Sequence, residues 1–150
     1  MKSLSILIPV FNEEESLLDL FSELKNHFKN NIAVEIIFIN DGSSDNSQIL
    51  IEKEISHHSS WKLINLYRNY GKSIALQSGI DISSGELIAT LDADLQDDPR
   101  ELMNLVNELH DADMIVGWKK NRLDPLEKRL ASKVFNFFIR IFSGLKIMDS

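Results

Sequence analysis

Five short runs of β-type residues, LSILIP (4–9), VEIIFIN (34–40), KLINL (62–66), ELIATLD (86–92) and ADMIVG (112–117), alternate with segments of helical character. Runs that are apolar almost without interruption read as strands buried on both faces, and strands separated by helix-length segments pair in parallel through crossovers. The pattern predicts a three-layer, Rossmann-like α/β domain with a mostly parallel sheet. In the first helical segment, residues 14–28, Leu17, Leu18, Phe21, Leu24 and Phe28 are expected on one face. Asn12 is placed to cap that helix and Asp45 or Ser44 the next. Asp98, with Pro99 at the first helical position, is placed to cap the helix before the last strand.

In open parallel sheets ligands bind beyond the carboxyl ends of the strands. Those turns read PVFNEEE, NDGSSD, YRNYGKS and DADLQDDP in this chain. A dinucleotide-binding domain needs G-x-G-x-x-G in the first of them, so that backbone amides reach a pyrophosphate. This turn has no Gly and three Glu, which argues against a nicotinamide dehydrogenase. With no Cys, thiolate metal sites and cysteine nucleophiles are excluded. His27, His57, His58 and His110 fall near helix ends, where exposure is the expectation, and no Ser-His-Asp arrangement stands out.

The fourth turn is the most informative. If Asp92, Asp94 and Gln96 leave the sheet in extended geometry, their spacing puts all three side chains on one side of the chain. Carboxylate and amide oxygens are hard ligands suited to Mg²⁺ or Mn²⁺. Mg²⁺ takes one or two protein carboxylates and completes its shell with water and phosphate oxygens, which would neutralise the crowded acids and leave positive charge for a nucleoside diphosphate. The alternative is a solvated acidic turn leading into a helix.

The net charge of −7 hides a division. Residues 118–150 hold eight Lys or Arg against three acids, a balance of +5, so the first 117 residues carry −12. Within the basic part, Leu130, Val134, Phe137, Phe138, Ile141, Phe142 and Leu145 form one helical stripe, while Arg140 interrupts any membrane span. Such a helix either packs on the domain or lies in a membrane interface. The apolar start LSILIPV is too short for a signal or a span, so a cytosolic chain is expected. No nucleic-acid partner is expected, and a homo-oligomer is compatible with the sequence.

IPVFNEEES, INDGSSDNS, RNYGKSIALQSGI and TLDADLQDDP, in this order and spacing, resemble glycosyltransferase family 2 with its GT-A fold. Within it, DADLQD and VGWKKNRLDPLEKRLASKVFN are most similar to the enzymes that transfer a sugar from a nucleotide diphosphate to a polyprenyl phosphate. The resemblance implies a GT-A core over residues 1–117 and an acceptor and membrane-side segment over 118–150. It implies that Pro9, Phe11, Asn12, Glu13, Asp41, Lys72, Asp92, Ala93 and Asp94 bind the donor, with Asp41 reading the base unless it is only a turn residue. Asp92, Asp94 and Gln96 become ligands of Mg²⁺ or Mn²⁺, and Asp97 and Asp98 caps. Arg68, Asn69 and Gly71 lie near the donor, Arg68 either contacting phosphate or pairing with a surface acid.

A polyprenyl phosphate, with a second pKa of about 6, needs little help from a general base, but it is repelled by the donor. Lys119, Arg122, Lys128, Arg129 and Ser132 are implied to hold it, with Asp94, Arg122 and Arg129 as the catalytic set and Lys120 nearby. Where the family has Arg in a Gly-x-Arg pattern, this chain has Lys119, which loses bidentate geometry. Related enzymes continue past the Asp149-Ser150 pair, so a truncated chain is expected, peripheral on the cytoplasmic side of the membrane. Two alternatives stay open. One is a family 2 enzyme with a saccharide hydroxyl as acceptor; the other is a nucleotide-binding fragment without turnover.

Overall fold

The computed structural model describes residues 2–28, 33–110 and 112–117. The chain divides into a unit of Met1–Glu108 and a second of Leu109–Ser150. In the first unit the order is β1 (Leu4–Val10), α1 (Leu17–Phe28), β2 (Val34–Asn40), α2 (Ser47–Ile55), β3 (Trp61–Asn65), α3 (Lys72–Ile82), β4 (Leu87–Thr90) and α4 (Pro99–Glu108). The four strands are all parallel and lie in the order β3-β2-β1-β4.

This order fixes where the helices go. The chain first steps outward from β1 through β2 to β3, then returns to the far side of β1. Right-handed crossovers put helices of opposite winding on opposite faces. Leu17, Leu20, Phe21 and Leu24 of α1 and Ile51 of α2 accordingly pack with Ile6, Ile8, Ile36 and Phe38 on one face. Ala75 of α3 packs with Leu7, Ile37 and Ile39 on the other. Phe21 meets Phe38 edge-on at 5.6 Å between ring centroids, and Phe38 meets Trp61 at 5.6 Å. Such pairs add specific geometry to the apolar burial.

Several sequence expectations need correcting. The first helix starts at Leu17, and its buried stripe contains Leu20 while Leu18 is exposed. Asn12 does not cap it: the Ser16 and Leu17 N–H groups bond to the Glu13 carbonyl, and Asn12 sits at φ 57 with its side chain directed to Ser44. The N-cap position of α2 is Asn46, without a side-chain cap bond, and neither Ser44 nor Asp45 occupies it, although Asp45 Oδ1 accepts the Ser47 N–H. Asp98 does accept the Arg100 N–H at the start of α4. Residues 112–117 form no strand, and Met114 and Val116 are exposed. β-propensity expresses itself only where a ladder and a packing surface receive the residues. His58 is not an exposed helix-end histidine, since it stacks on Trp61 at 4.2 Å and bonds to Glu54.

Candidate active site

The reversal of strand order between β1 and β4 opens a crevice at their carboxyl ends, the place where open α/β sheets bind ligands. A cavity of about 350 Å³ lies there, lined by Pro9, Val10, Phe11, Glu13, Asp41, Asn69, Gly71, Lys72, Asp92, Ala93 and Asp94. Pro9, Phe11, Glu13, Asp41, Lys72, Asp92, Ala93 and Asp94, all singled out in the sequence, thus meet at one place. Asn12 borders a neighbouring cavity of about 460 Å³ with Glu13, Ser44, Asp45 and Asp94. Gln96 lines neither cavity. Lys119, Arg122, Lys128, Arg129 and Ser132 lie outside the described residues, as does the expected helix over 130–148.

Three of the four turns are laced together by side chains. The Asn12 N–H donates to Ser43 Oγ at 3.0 Å, and Asn12 Oδ1 accepts the Ser44 N–H at 2.8 Å. The Glu13 N–H donates to Ser47 Oγ at 2.9 Å, and the Glu14 N–H to Asp45 Oδ2 at 3.0 Å. Glu14 Oε2 in turn accepts the Asn46 N–H at 2.9 Å. Burial alone would raise the Asp45 carboxyl, but bonds from the Ser47 hydroxyl and N–H and the Glu14 N–H outweigh it and hold the carboxyl below its usual range. The hydroxyl-rich string GSSDNS is therefore the anchor of the acidic NEEE turn, a role that its residue types did not reveal.

Asp41 ties in the third turn. It is only 3% exposed, and its two oxygens accept the Tyr70 N–H at 2.8 Å and the Gly71 N–H at 2.9 Å. Next to it, Gly42 holds φ 70, and a Cβ there would come within 2.4 Å of the Arg68 carbonyl carbon. Only glycine allows that approach. The preceding residue is an amide for a visible reason: Asn40 donates through Nδ2 to Asn65 and accepts the Ser43 N–H, and a carboxylate could do only the second. Arg68 lies over the Tyr70 ring, 5.0 Å from its centroid.

The fourth turn departs from the extended geometry expected of it. β4 ends at Thr90, and the chain turns through residues 93–95 with Leu95 at φ 62. Asp94 Oδ1 accepts the Gln96 N–H at 3.0 Å, and the Asp92 N–H donates to Asp97 Oδ2. These local bonds fold the acidic string back on itself, so side-chain direction no longer alternates through to Gln96. Asp92 and Asp94 still face one cavity. Their two carboxylates fit the requirement of Mg²⁺ or Mn²⁺ for hard oxygen ligands completed by phosphate and water. Among the described residues, no group of three or more His, Cys, Asp or Glu is arranged to hold an ion. Asp92 Oδ1 is ion-paired with Lys72 Nζ at 2.5 Å.

The model of Glycosyl transferase family 2 matches residues 5–149. The chain belongs to that family. It is 36% identical over 151 residues to dodecaprenyl-phosphate galacturonate synthase of Rhizobium johnstonii, covering 97% of this chain and 45% of that protein. It is 40% identical over 152 residues to undecaprenyl-phosphate 4-deoxy-4-formamido-L-arabinose transferase of Salmonella choleraesuis, covering 99% of this chain and 46% of that protein. The chain thus spans a little under half the length of these relatives.

Two solved structures show the same fold. The mannosyltransferase PcManGT of Pyrobaculum calidifontis, in complex with GDP-Man and Mn²⁺, superposes with TM-score 0.67 at 20% identity, covering 74% of this chain and 33% of that one. TarS 1-349 of S. aureus in complex with UDP superposes with TM-score 0.62 at 18% identity, covering 82% and 38%. The family 2 chain described here therefore has the GT-A fold. Among the described residues, no helix is long and apolar enough to cross a membrane.

Proposed function

We propose that this chain is the donor-binding part of a metal-dependent, inverting glycosyltransferase that moves a sugar from a nucleoside diphosphate to a polyprenyl phosphate on the cytoplasmic side of the membrane. The observation that carries the reading is the 36–40% identity, over 97–99% of this chain, to two proteins whose names share a polyprenyl-phosphate acceptor. The cavity at the β1 and β4 ends supplies the complementary chemistry. Pro9, Phe11, Asn69 and Asp41 offer apolar and polar walls to a nucleoside, and Lys72 offers a cation to its phosphates. Asp92 and Asp94 would hold Mg²⁺ or Mn²⁺, and Gln96 adds an amide oxygen if the turn opens. A bound ion supplies charge neutralisation of the departing diphosphate.

The acceptor phosphate is already ionised near neutral pH, so its attack on the sugar requires orientation and charge screening more than proton removal. Lys119, Arg122, Lys128, Arg129 and Ser132 are assigned to that task, within an interfacial basic segment over 118–150, beyond the core over 1–117. The reading is tested by incubating the protein with Mn²⁺, vesicles containing undecaprenyl phosphate and nucleotide sugars carrying UDP, GDP, CDP or dTDP. Labelled sugar is expected in the organic-extractable lipid. Label found only in a water-soluble saccharide would contradict the acceptor, and failure of the chain to bind any of the four nucleotides would contradict the donor site.

A further inference from the structure

The charged groups of the cavity are unevenly committed. Glu13, Asp41, Asp92 and Asp94 are its acids, and Lys72 is the one cation among its lining residues. Asp41 is engaged by the Tyr70 and Gly71 N–H groups, and Asp94 Oδ1 by that of Gln96. Lys72 has settled on Asp92, with Nζ 2.5 Å from Oδ1. Its backbone is the first residue of α3, directly after the Gly71 that Asp41 holds in place. Its side chain is 57% exposed and is held at the tip by the ion pair. An anchored base with a free stem gives the ammonium an arc of movement over the cavity.

A divalent cation arriving at Asp92 and Asp94 meets that ammonium on the same carboxylate. Like charges at such a separation repel strongly even near a protein surface. The cation brings two charges to the carboxylates against the single charge of lysine, and the lysine stem is flexible. The group that moves is therefore Lys72.

We propose that Lys72 is an exchangeable counter-ion: it neutralises Asp92 until the metal and nucleoside diphosphate arrive, then transfers to the donor's phosphate oxygens. This rests on the metal-dependent donor site proposed above and adds its order of events. Metal alone must break the Lys72–Asp92 pair without recompense. Metal with nucleoside diphosphate gives the displaced ammonium a new anionic partner. The exchange thus couples the two ligands, and the coupling is reciprocal.

The test is Mn²⁺ binding to the 150-residue chain, with free Mn²⁺ measured by electron paramagnetic resonance, without nucleotide and with UDP or GDP. Wild type is compared with Lys72→Met, Lys72→Arg and Asp94→Asn, each checked for native circular dichroism. Lys72→Met is expected to bind Mn²⁺ alone about fivefold or more tighter than wild type, and to lose a similar factor of the gain that nucleotide brings. Lys72→Arg is expected to follow wild type for Mn²⁺ alone. If Lys72→Met leaves Mn²⁺ binding unchanged or weaker while Asp94→Asn abolishes it, the exchange is overturned and the metal site stands. If Lys72→Arg gains as much as Lys72→Met, the charge of residue 72 is not what competes, and the exchange is overturned as well. If Asp94→Asn binds Mn²⁺ as wild type does, or wild type and Lys72→Met both fail to bind it with or without nucleotide, the site assignment fails together with the exchange.

Discussion

Asp41 Oδ2 accepts the Gly71 N–H at 2.9 Å, which ties the end of β2 to the residue before α3. With the Tyr70 N–H on Oδ1, one buried carboxylate sets the path of the turn that carries Lys72 into the cavity. Removing it leaves two N–H donors without their acceptor, at about 1–3 kcal/mol each. Asp41→Ala is expected to lose roughly 3 kcal/mol of stability, and Asp41→Asn, which keeps one acceptor oxygen, about half of that. Urea unfolding followed by circular dichroism measures both. Unchanged stability with weakened nucleotide binding would make Asp41 a ligand contact alone.

Gly42 and Gly71 both have positive φ, at 70° and 91°, yet their surroundings differ. A Cβ at Gly42 collides with the backbone of Arg68 and Asn69, whereas nothing lies within 4 Å of one at Gly71. Gly71→Ala is expected to cost only backbone strain, about 1–2 kcal/mol. Gly42→Ala adds a displacement of the β3–α3 turn and is expected to cost more than about 3 kcal/mol. Paired denaturation curves decide it, and equal losses would contradict the close approach.

The strands were legible because β1 and β2 are buried on both faces, which leaves unbroken runs such as SILIPV and IIFIN. The membership of the cavity was legible too, since a parallel sheet places its strand ends together whatever their detail. What was hidden depends on single torsions and on cross-turn hydrogen bonds. Leu95 at φ 62 turns the acidic string out of the extended form, and nothing in a leucine announces that. Asn12 has the residue type of a helix cap but bonds to Ser44, because the two loops are neighbours only in the folded sheet. The run ADMIVG has strand residues, yet strand formation depends on partners that composition does not specify.

Glu35, at the opposite end of the sheet, is a probe of acid stability. Burial would raise its carboxyl, but Lys62 at 2.7 Å, the Ser5 hydroxyl and the Ser84 N–H and hydroxyl hold it at about 2, against an ordinary 4.5. A carboxyl lowered on folding stabilises the native state above its unfolded value, and the contribution disappears as pH falls from about 4.5 to about 2. Its size is on the order of 3 kcal/mol. Glu35→Gln is expected to destabilise the protein at pH 7 and to flatten the acid limb of a stability-versus-pH curve in that window. An unaltered acid limb would contradict the assignment.

The basic segment makes a separate prediction. Residues 118–150 carry a balance of +5, and each basic group near an anionic leaflet adds about 1 kcal/mol. Co-sedimentation with vesicles containing phosphatidylglycerol is expected, and it should weaken as the Debye length falls from about 10 Å at 0.1 M salt to about 3 Å at 1 M. Replacing Lys128, Arg129 and Lys133 together with Gln should reduce it. Binding indifferent to salt and to anionic lipid would remove the membrane surface from the account.

The most direct measurement is titration calorimetry of UDP, GDP, CDP and dTDP into the chain, with and without Mn²⁺, repeated on Asp94→Ala. The shared placement of Asp92, Asp94 and Lys72 at the β1–β4 crevice predicts that at least one nucleotide binds, more tightly with Mn²⁺. Asp94→Ala is predicted to lose the Mn²⁺-dependent part of that affinity. Failure of all four to bind, binding indifferent to Mn²⁺, or a full Mn²⁺ effect in Asp94→Ala would contradict a metal-dependent donor site.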